Sequence, residues 1–206
     1  MKSALEEIRQ SPRLPEIVRT LTAELREEEE RRRRFLQELT PEMKAEFING
    51  EVIMHSPARE KHLRVTGNLF YELMTYCKQA GRGRVFVEKC LISLSRNDFE
   101  PDVVWFSEEK AREFTGEQMR FPAPDLVVEV LSPSTEERDR GVKFVDYAEH
   151  GVGEYWLIDA EAGVVEQYLL NPAQGEFTLH EKLTHGTVCS RMAAGLEVSL
   201  QELFAE

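Results

Sequence analysis

Between Leu126 and Leu131 the chain reads Leu-Val-Val-Glu-Val-Leu, an apolar run interrupted once, by Glu129. Without polar alternation, such a run predicts a central strand covered on both faces. A lone carboxylate there costs several kcal/mol (~3 or more) unless it is protonated, paired or bound to a cation, so a positive charge is expected beside Glu129. Other segments follow the same logic. "EFINGEVIMHS" places Asn49-Gly50 between β-rich arms, the signature of a two-residue hairpin. Leu63, Leu69, Phe70, Leu73 and Tyr76 recur at helical spacing up to Gly81. "RVFVEKCLISL" and "PDVVWFS" predict two strands separated by the polar turn "SRNDFE", and Asp139 to His150 predicts a helix closed by Gly151. "EYWLID", "VVEQYLL" and "FTLHEKLT" predict three further strands. The sum is an α/β domain over residues 41–206, a sheet core flanked by helices.

Residues 1–40 form a separate N-terminal helical extension in this reading. Leu14, Ile17, Val18, Leu21 and Leu25 make one apolar stripe on a long helix. "EEEERRRR" sets Glu27, Glu28, Glu29 and Glu30 four residues ahead of Arg31, Arg32, Arg33 and Arg34, the favourable orientation for intrahelical pairs. The stripe requires a partner, either the helix's own domain or a second subunit in a homodimer. Pairing with glutamates leaves the four arginines poorly suited to hold DNA.

Composition narrows the class. At 206 residues the chain accommodates one substantial domain plus an extension. No apolar run approaches the roughly 18 residues of a membrane span, and no apolar signal core opens the chain, so a cytoplasmic protein without membrane contact is expected. Cys77, Cys90 and Cys189 lack the spacing of a disulfide framework or zinc knuckle. A net charge of −12 runs against nucleic-acid binding by bulk electrostatics. It remains compatible with a metal-dependent nuclease, whose site concentrates acids while a local basic rim survives.

Two Pro-Asp pairs, at Asp102 and Asp125, compete as partners for Glu129. Along one strand, Asp125 lies roughly 13 Å from Glu129, too far to share an ion, and reads as a strand-entry residue. Asp102 opens a different strand and meets Glu129 if the two strands are neighbours. Two such carboxylates call for a cation between them; the alternative is a lysine or arginine beside Glu129 and no metal. Ser134 and Thr135 ahead of Glu136 and Glu137 read as helix-capping residues. No G-x-S-x-G elbow supports a serine nucleophile.

The order Pro101-Asp102 followed by Glu129-Val130-Leu131 resembles the PD-(D/E)XK nuclease signature. "EFINGEVIMHSPAREKH", "EPDVVWF" and "PDLVVEVLSPSTEERDRGVKFVDYAEHGVGEYWLID" together resemble the Uma2 family of restriction-endonuclease-like proteins, from about Thr40 to Phe204, with the N-terminal helix outside the shared region. The resemblance implies a restriction-endonuclease-like mixed sheet and a divalent-metal-dependent phosphodiester hydrolase acting on nucleic acid, with DNA as the expected substrate. It implies Mg²⁺ or Mn²⁺ on Asp102, Glu129 and the Val130 carbonyl. Leu131 stands where the superfamily signature has lysine, and Lys143 on the following helix is the implied replacement. Glu51 and His62 are accessory candidates from the same comparison. Arg59, Lys61, Arg64, Arg138 and Arg140 are the cations expected to meet the phosphate backbone. The competing readings are a nuclease fold kept as an inactive binding or regulatory module, and a structural homo-oligomer.

Overall fold

The computed structural model describes residues 4–206. In chain order its elements are α1 (Ala4–Gln10), α2 (Leu14–Glu38), β1 (Ala45–Ile48), β2 (Glu51–Met54), α3 (Glu60–Ala80), β3 (Arg84–Val87), β4 (Leu91–Ser93), β5 (Asp98–Phe99) and β6 (Val103–Phe106). Then follow α4 (Glu108–Ala111), β7 (Arg120–Phe121), β8 (Leu126–Val130), α5 (Glu136–Arg140), α6 (Val142–Glu149), β9 (Glu154–Asp159), β10 (Val164–Asn171), β11 (Glu176–Leu183), β12 (Thr187–Cys189), β13 (Glu197–Ser199) and α7 (Leu200–Leu203). None of the described helices is long and apolar enough to cross a membrane.

The larger sheet runs β11-β10-β9-β8-β6-β3 and is mixed: β8 lies parallel to β9 through the α5–α6 crossover and antiparallel to β6. Both faces are covered, which explains the missing alternation in β8. Leu126, Val128 and Val130 join Val103, Trp105, Trp156 and Ile158 in the core beneath α3 and α7. Val127 joins Val104, Phe106, Tyr155 and Leu157 in a second core that also includes Tyr147 of α6 and Phe99 and Ile92 of the smaller sheet. That smaller sheet runs β2-β1-β5-β4-β7.

The Asn49-Gly50 hairpin forms as the spacing predicts, with both residues at positive φ (50° and 89°) between Ile48 and its partner Glu51. Two sequence expectations are corrected. "RVFVEKCLISL" is not one strand: β3 belongs to the larger sheet and β4 to the smaller, and the chain crosses between them at Glu88, held at φ 67°. The predicted 139–150 helix is two helices, broken at Gly141. A Cβ at that position would lie 2.6 Å from the Glu137 carbonyl oxygen, so a side chain there would collide with backbone.

The N-terminal helix is also arranged differently from the expected charge ladder. None of the four Glu–Arg pairs at i,i+4 is among the ion pairs of the described residues; Arg33 pairs with Glu30, three residues away. Arg32 instead grips buried Asp98 with two nitrogens, at 2.6 and 3.0 Å. Arg31 donates to the Gly50 carbonyl, Glu28 receives Arg96 in a two-pronged pair, and Phe35 stacks on Phe47 of β1. Tertiary partners on the smaller sheet outcompete the weak intrahelical pairs. The N-terminal half of α2 leaves the domain, with Val18, Leu21 and Leu25 each about half exposed.

Candidate functional site

Val103 pairs with Val128 across the β6–β8 ladder, which sets Asp102 level with Glu129. Side-chain alternation puts both on the face shared with Val104 and Val127, toward the smaller sheet and α6. They line a cavity of about 400 Å³ whose wall also includes Lys44, His55, His62, Glu100, Asp139 and Lys143.

Lys143 is the positive charge beside Glu129. Its Nζ lies 2.9 Å from Glu129 Oε1, 2.9 Å from Glu46 Oε1 and 3.2 Å from Asp139 Oδ1, and the lysine is 2 % exposed. The break at Gly141 starts α6 so that its first turn carries this side chain inward. Burial alone would lower the lysine's pKa, but the three carboxylates drive it well above its ordinary value, so Lys143 is an ammonium. The acids respond unequally. Burial opposes ionisation of Glu46, yet Lys143 and His55 hold it down at about 2. Burial pushes Glu129 well above the ordinary range, with Lys143 offsetting only part of the effect and Asp139 and Asp102 adding to it. Asp139 is also raised, again chiefly by burial. One ammonium is thus shared by three acids, and burial first, with the neighbouring carboxylates after it, disfavours the charged form of Glu129.

Asp102 belongs to an adjoining group. Its Oδ2 accepts the Val130 N–H at 2.7 Å and its Oδ1 lies 3.1 Å from His62 Nε2. Burial works against ionisation, but His62 and the Val130 N–H bring its pKa below the usual value. His62 is raised by the same contact, against its own burial. Glu88, at the left-handed crossover, completes the group: donor atoms of His62, Glu88 and Asp102 all lie within 4.8 Å of one another. One Glu88 oxygen is held by Lys44; the other, Oε1, is buried without a hydrogen-bond partner. Glu100, two residues before Asp102, accepts the Ala45 N–H at 2.8 Å and is pushed up by burial to about 7.

The structure therefore brings Asp102, Glu129, Lys143 and His62 to one cavity, with Val130 beside them through its N–H. Arg59, Lys61 and Arg138 line the same opening. Arg64 instead bonds Glu60 and the Ala205 carbonyl, and Arg140 is locked between Glu136 and Glu166. Glu51 is exposed on β2, apart from these residues, whereas Glu46 on the paired strand points inward. Asp125 accepts the Ser107 N–H and pairs with Lys110, as a strand-entry residue would. Thr135 precedes α5 without a side-chain capping bond; its hydroxyl bonds Ser132.

Four participants went unmarked by sequence reasoning: Glu46, Glu88, Asp139 and Lys44. Glu46 carried a usable signal, a carboxylate inside the apolar run Ala-Glu-Phe-Ile like that of Glu129. The other three carried none, since a crossover loop, a helix start and a strand approach each hold charged residues routinely.

Comparison with known proteins now has a geometry to attach to. The model of the family Uma2, described as "Putative restriction endonuclease", matches residues 30–201, so the shared region begins inside α2 rather than after it. An uncharacterized protein of Synechocystis, sll1609, is 36 % identical over 129 residues, spanning 61 % of this chain and 71 % of the relative. The crystal structure of a protein from Anabaena variabilis, described as "a putative nuclease belonging to DUF820", superposes with a TM-score of 0.69 at 22 % identity, covering 82 % of this chain and 94 % of that one, a likeness of fold. The matched segment contains every residue of the cavity described above, and the chain belongs to the Uma2 family.

Proposed function

We propose that this protein is a divalent-metal-dependent phosphodiester hydrolase acting on nucleic acid, with DNA as its substrate. Membership of a family described as "Putative restriction endonuclease" supports the reaction class. The observation that carries the reading is the surplus of buried carboxylate at one open cavity: Asp102, Glu129 and Asp139 line it with Lys143, Lys44 and two histidines, and Glu46 adds its charge from behind Lys143. A cation added there relieves like-charge repulsion and favours the charged form of Glu129. The carboxylates suit Mg²⁺ or Mn²⁺, and the unpartnered buried Oε1 of Glu88 is a ready ligand atom. Asp102 and Glu129 would hold the ion, with His62 and Glu88 beside Asp102. Such an ion polarises the scissile phosphate and acidifies a bound water.

The chain's own groups divide the remaining work. Lys143, a permanent ammonium, cannot abstract a proton and instead stabilises negative charge developing on the phosphate. His62, whose pKa burial lowers but Asp102 raises above its ordinary value, is placed to donate a proton to the leaving oxygen. Arg59, Lys61 and Arg138 at the mouth meet the phosphate backbone despite the acidic whole. Cleavage of a mixed DNA and RNA panel with Mg²⁺ or Mn²⁺ tests the reading. DNA should be cut, Asp102→Asn should be inactive, and Lys143→Ala should fold yet lose about 10²-fold or more. Equal cleavage by Asp102→Asn, or none by the wild type with either metal, rejects it in favour of an inactive nuclease-fold module.

The working assembly in this proposal is a homodimer built on α2. Leu14, Val18, Leu21 and Leu25 continue the seam whose next members, Glu28, Arg32 and Phe35, dock on the smaller sheet. An antiparallel second copy matches Leu14 with Leu25 and Val18 with Leu21, covering a face that the domain leaves bare. Light scattering should report a dimer for the full chain and a monomer for Leu21→Glu; a dimer that survives this substitution places the interface elsewhere.

A further inference from the structure

Glu88 is held in place by its backbone before its side chain meets anything. Its φ of 67° is a conformation that non-glycine residues seldom adopt, and it is pinned by the Glu88 N–H on the Asp102 carbonyl at 3.0 Å and the Lys89 N–H on the Val87 carbonyl at 2.8 Å. A strained residue whose carboxylate reaches a cluster of metal-ligand type is an outlier with a candidate purpose. Lys44 approaches from the other sheet, fixed at the start of β1, where its carbonyl accepts the His55 N–H. Its ammonium pairs with Glu88 and lines the same cavity as Asp102 and Glu129.

Building on the metal-dependent reading above, we infer that Glu88 is a metal ligand and that Lys44 is its resident counter-ion, which the incoming divalent ion must displace. Lys44 holds one Glu88 oxygen, and the other, Oε1, is buried without a hydrogen-bond partner. Metal entry is then an exchange: the lysine side chain, part exposed, swings toward solvent and both Glu88 oxygens become available. The lysine lowers metal affinity, because its charge repels the ion and its contact must break first, and it stabilises the empty site.

Mn²⁺ titration by calorimetry of the full chain, with thermal unfolding in parallel, tests the exchange without recourse to cleavage. Lys44→Met should bind Mn²⁺ about tenfold more tightly than wild type, melt lower when metal-free and gain more in melting temperature at saturating Mn²⁺. The gain in affinity should vanish in the Lys44→Met/Glu88→Gln double variant, and Lys44→Gln supplies a second neutral side chain should the methionine disturb folding. Wild-type affinity in folded Lys44→Met and Lys44→Gln overturns the counter-ion role while leaving metal dependence intact. Tight binding that persists in the double variant overturns Glu88 as a ligand. Absence of Mn²⁺ binding in wild type and both single lysine variants overturns the metal reading and the exchange with it.

Discussion

Glu129 and Glu154 sit on adjacent parallel strands, both inside apolar runs and both nearly inaccessible. Glu154 Oε1 receives Trp156 Nε1 and Gln167 Nε2, each at 2.6 Å, and Oε2 receives the Ser190 hydroxyl at 2.7 Å and the N–H groups of Arg191 and Met192 at 2.9 Å. Those donors are neutral, fixed and sufficient, so Glu154 fastens the 190–192 turn to the sheet. Glu129 has one close donor, Lys143, shared with two other acids, and a Tyr147 hydroxyl 3.5 Å away. A charge in an apolar strand therefore marks two different things. Donor saturation identifies the fastening; an incomplete shell on an open cavity is what the proposed metal site asks of Glu129.

The contrast breaks most visibly at Glu154. Glu154→Ala strands five donors, and chemical denaturation should show a loss of about 3–5 kcal/mol, with Mn²⁺ affinity of the folded fraction unchanged. A loss below about 1 kcal/mol would mean the turn finds other anchors. Glu129→Gln should do the opposite: cleavage falls by about 10²-fold or more, while metal-free stability at pH 8 is equal to wild type or higher, because a crowded negative charge is gone and Lys143 retains Glu46 and Asp139. Marked destabilisation of this variant would place Glu129 in the same class as Glu154.

A smaller effect should appear in the pH profile of metal-free stability. Glu46 is depressed to about 2, so its contribution is present above its unfolded value of 4.5 and is lost as pH falls toward 2. Glu129 and Glu100 are raised, Glu100 to about 7, so their contributions are full below 4.5 and are lost as pH rises through their folded values. Stability should climb to about pH 4.5 and then decline toward neutrality, and Glu129→Gln should flatten the decline. Saturating Mn²⁺ should flatten it too, since the ion takes the place of the proton. A profile that rises steadily through pH 7 contradicts the surplus of buried negative charge.

Much of this was legible in the chain. The apolar run at 126–131, the hairpin at Asn49-Gly50 and the Pro-Asp at 101–102 each state a local requirement, and local requirements survive folding. The need for a cation beside Glu129 was readable as well, whereas its assignment to Lys143 came from the resemblance to the Uma2 family, and the geometry now places that lysine there. What stayed hidden depended on long-range geometry. Glu88 becomes significant only because β3 and β4 enter different sheets, and no pattern in "RVFVEKCLISL" announces the crossing. Arg32 reads as one rung of a charge ladder until Asp98, far along the chain, is brought beneath it. Glu51 and Glu46 share one face of a hairpin, and what separates them is strand position: β1 lies between β2 and β5 and is buried along its length, whereas Glu51 opens the exposed edge strand β2 beside the turn.

The grip of Arg32 on Asp98 has a consequence for dividing the molecule. Helix α2 is continuous from Leu14 to Glu38, yet its later turns are bolted to the domain by Glu28, Arg31, Arg32 and Phe35 while its earlier turns touch little of it. The natural joint is thus hidden in mid-helix, ahead of Glu28, with no loop, glycine or proline to advertise it. A cut in the visible loop after Glu38 would uncover Phe47 and leave Asp98 as a buried charge without its guanidinium, whereas a cut before Glu28 would remove a handle that evolution could exchange between relatives while leaving the cavity's scaffold whole.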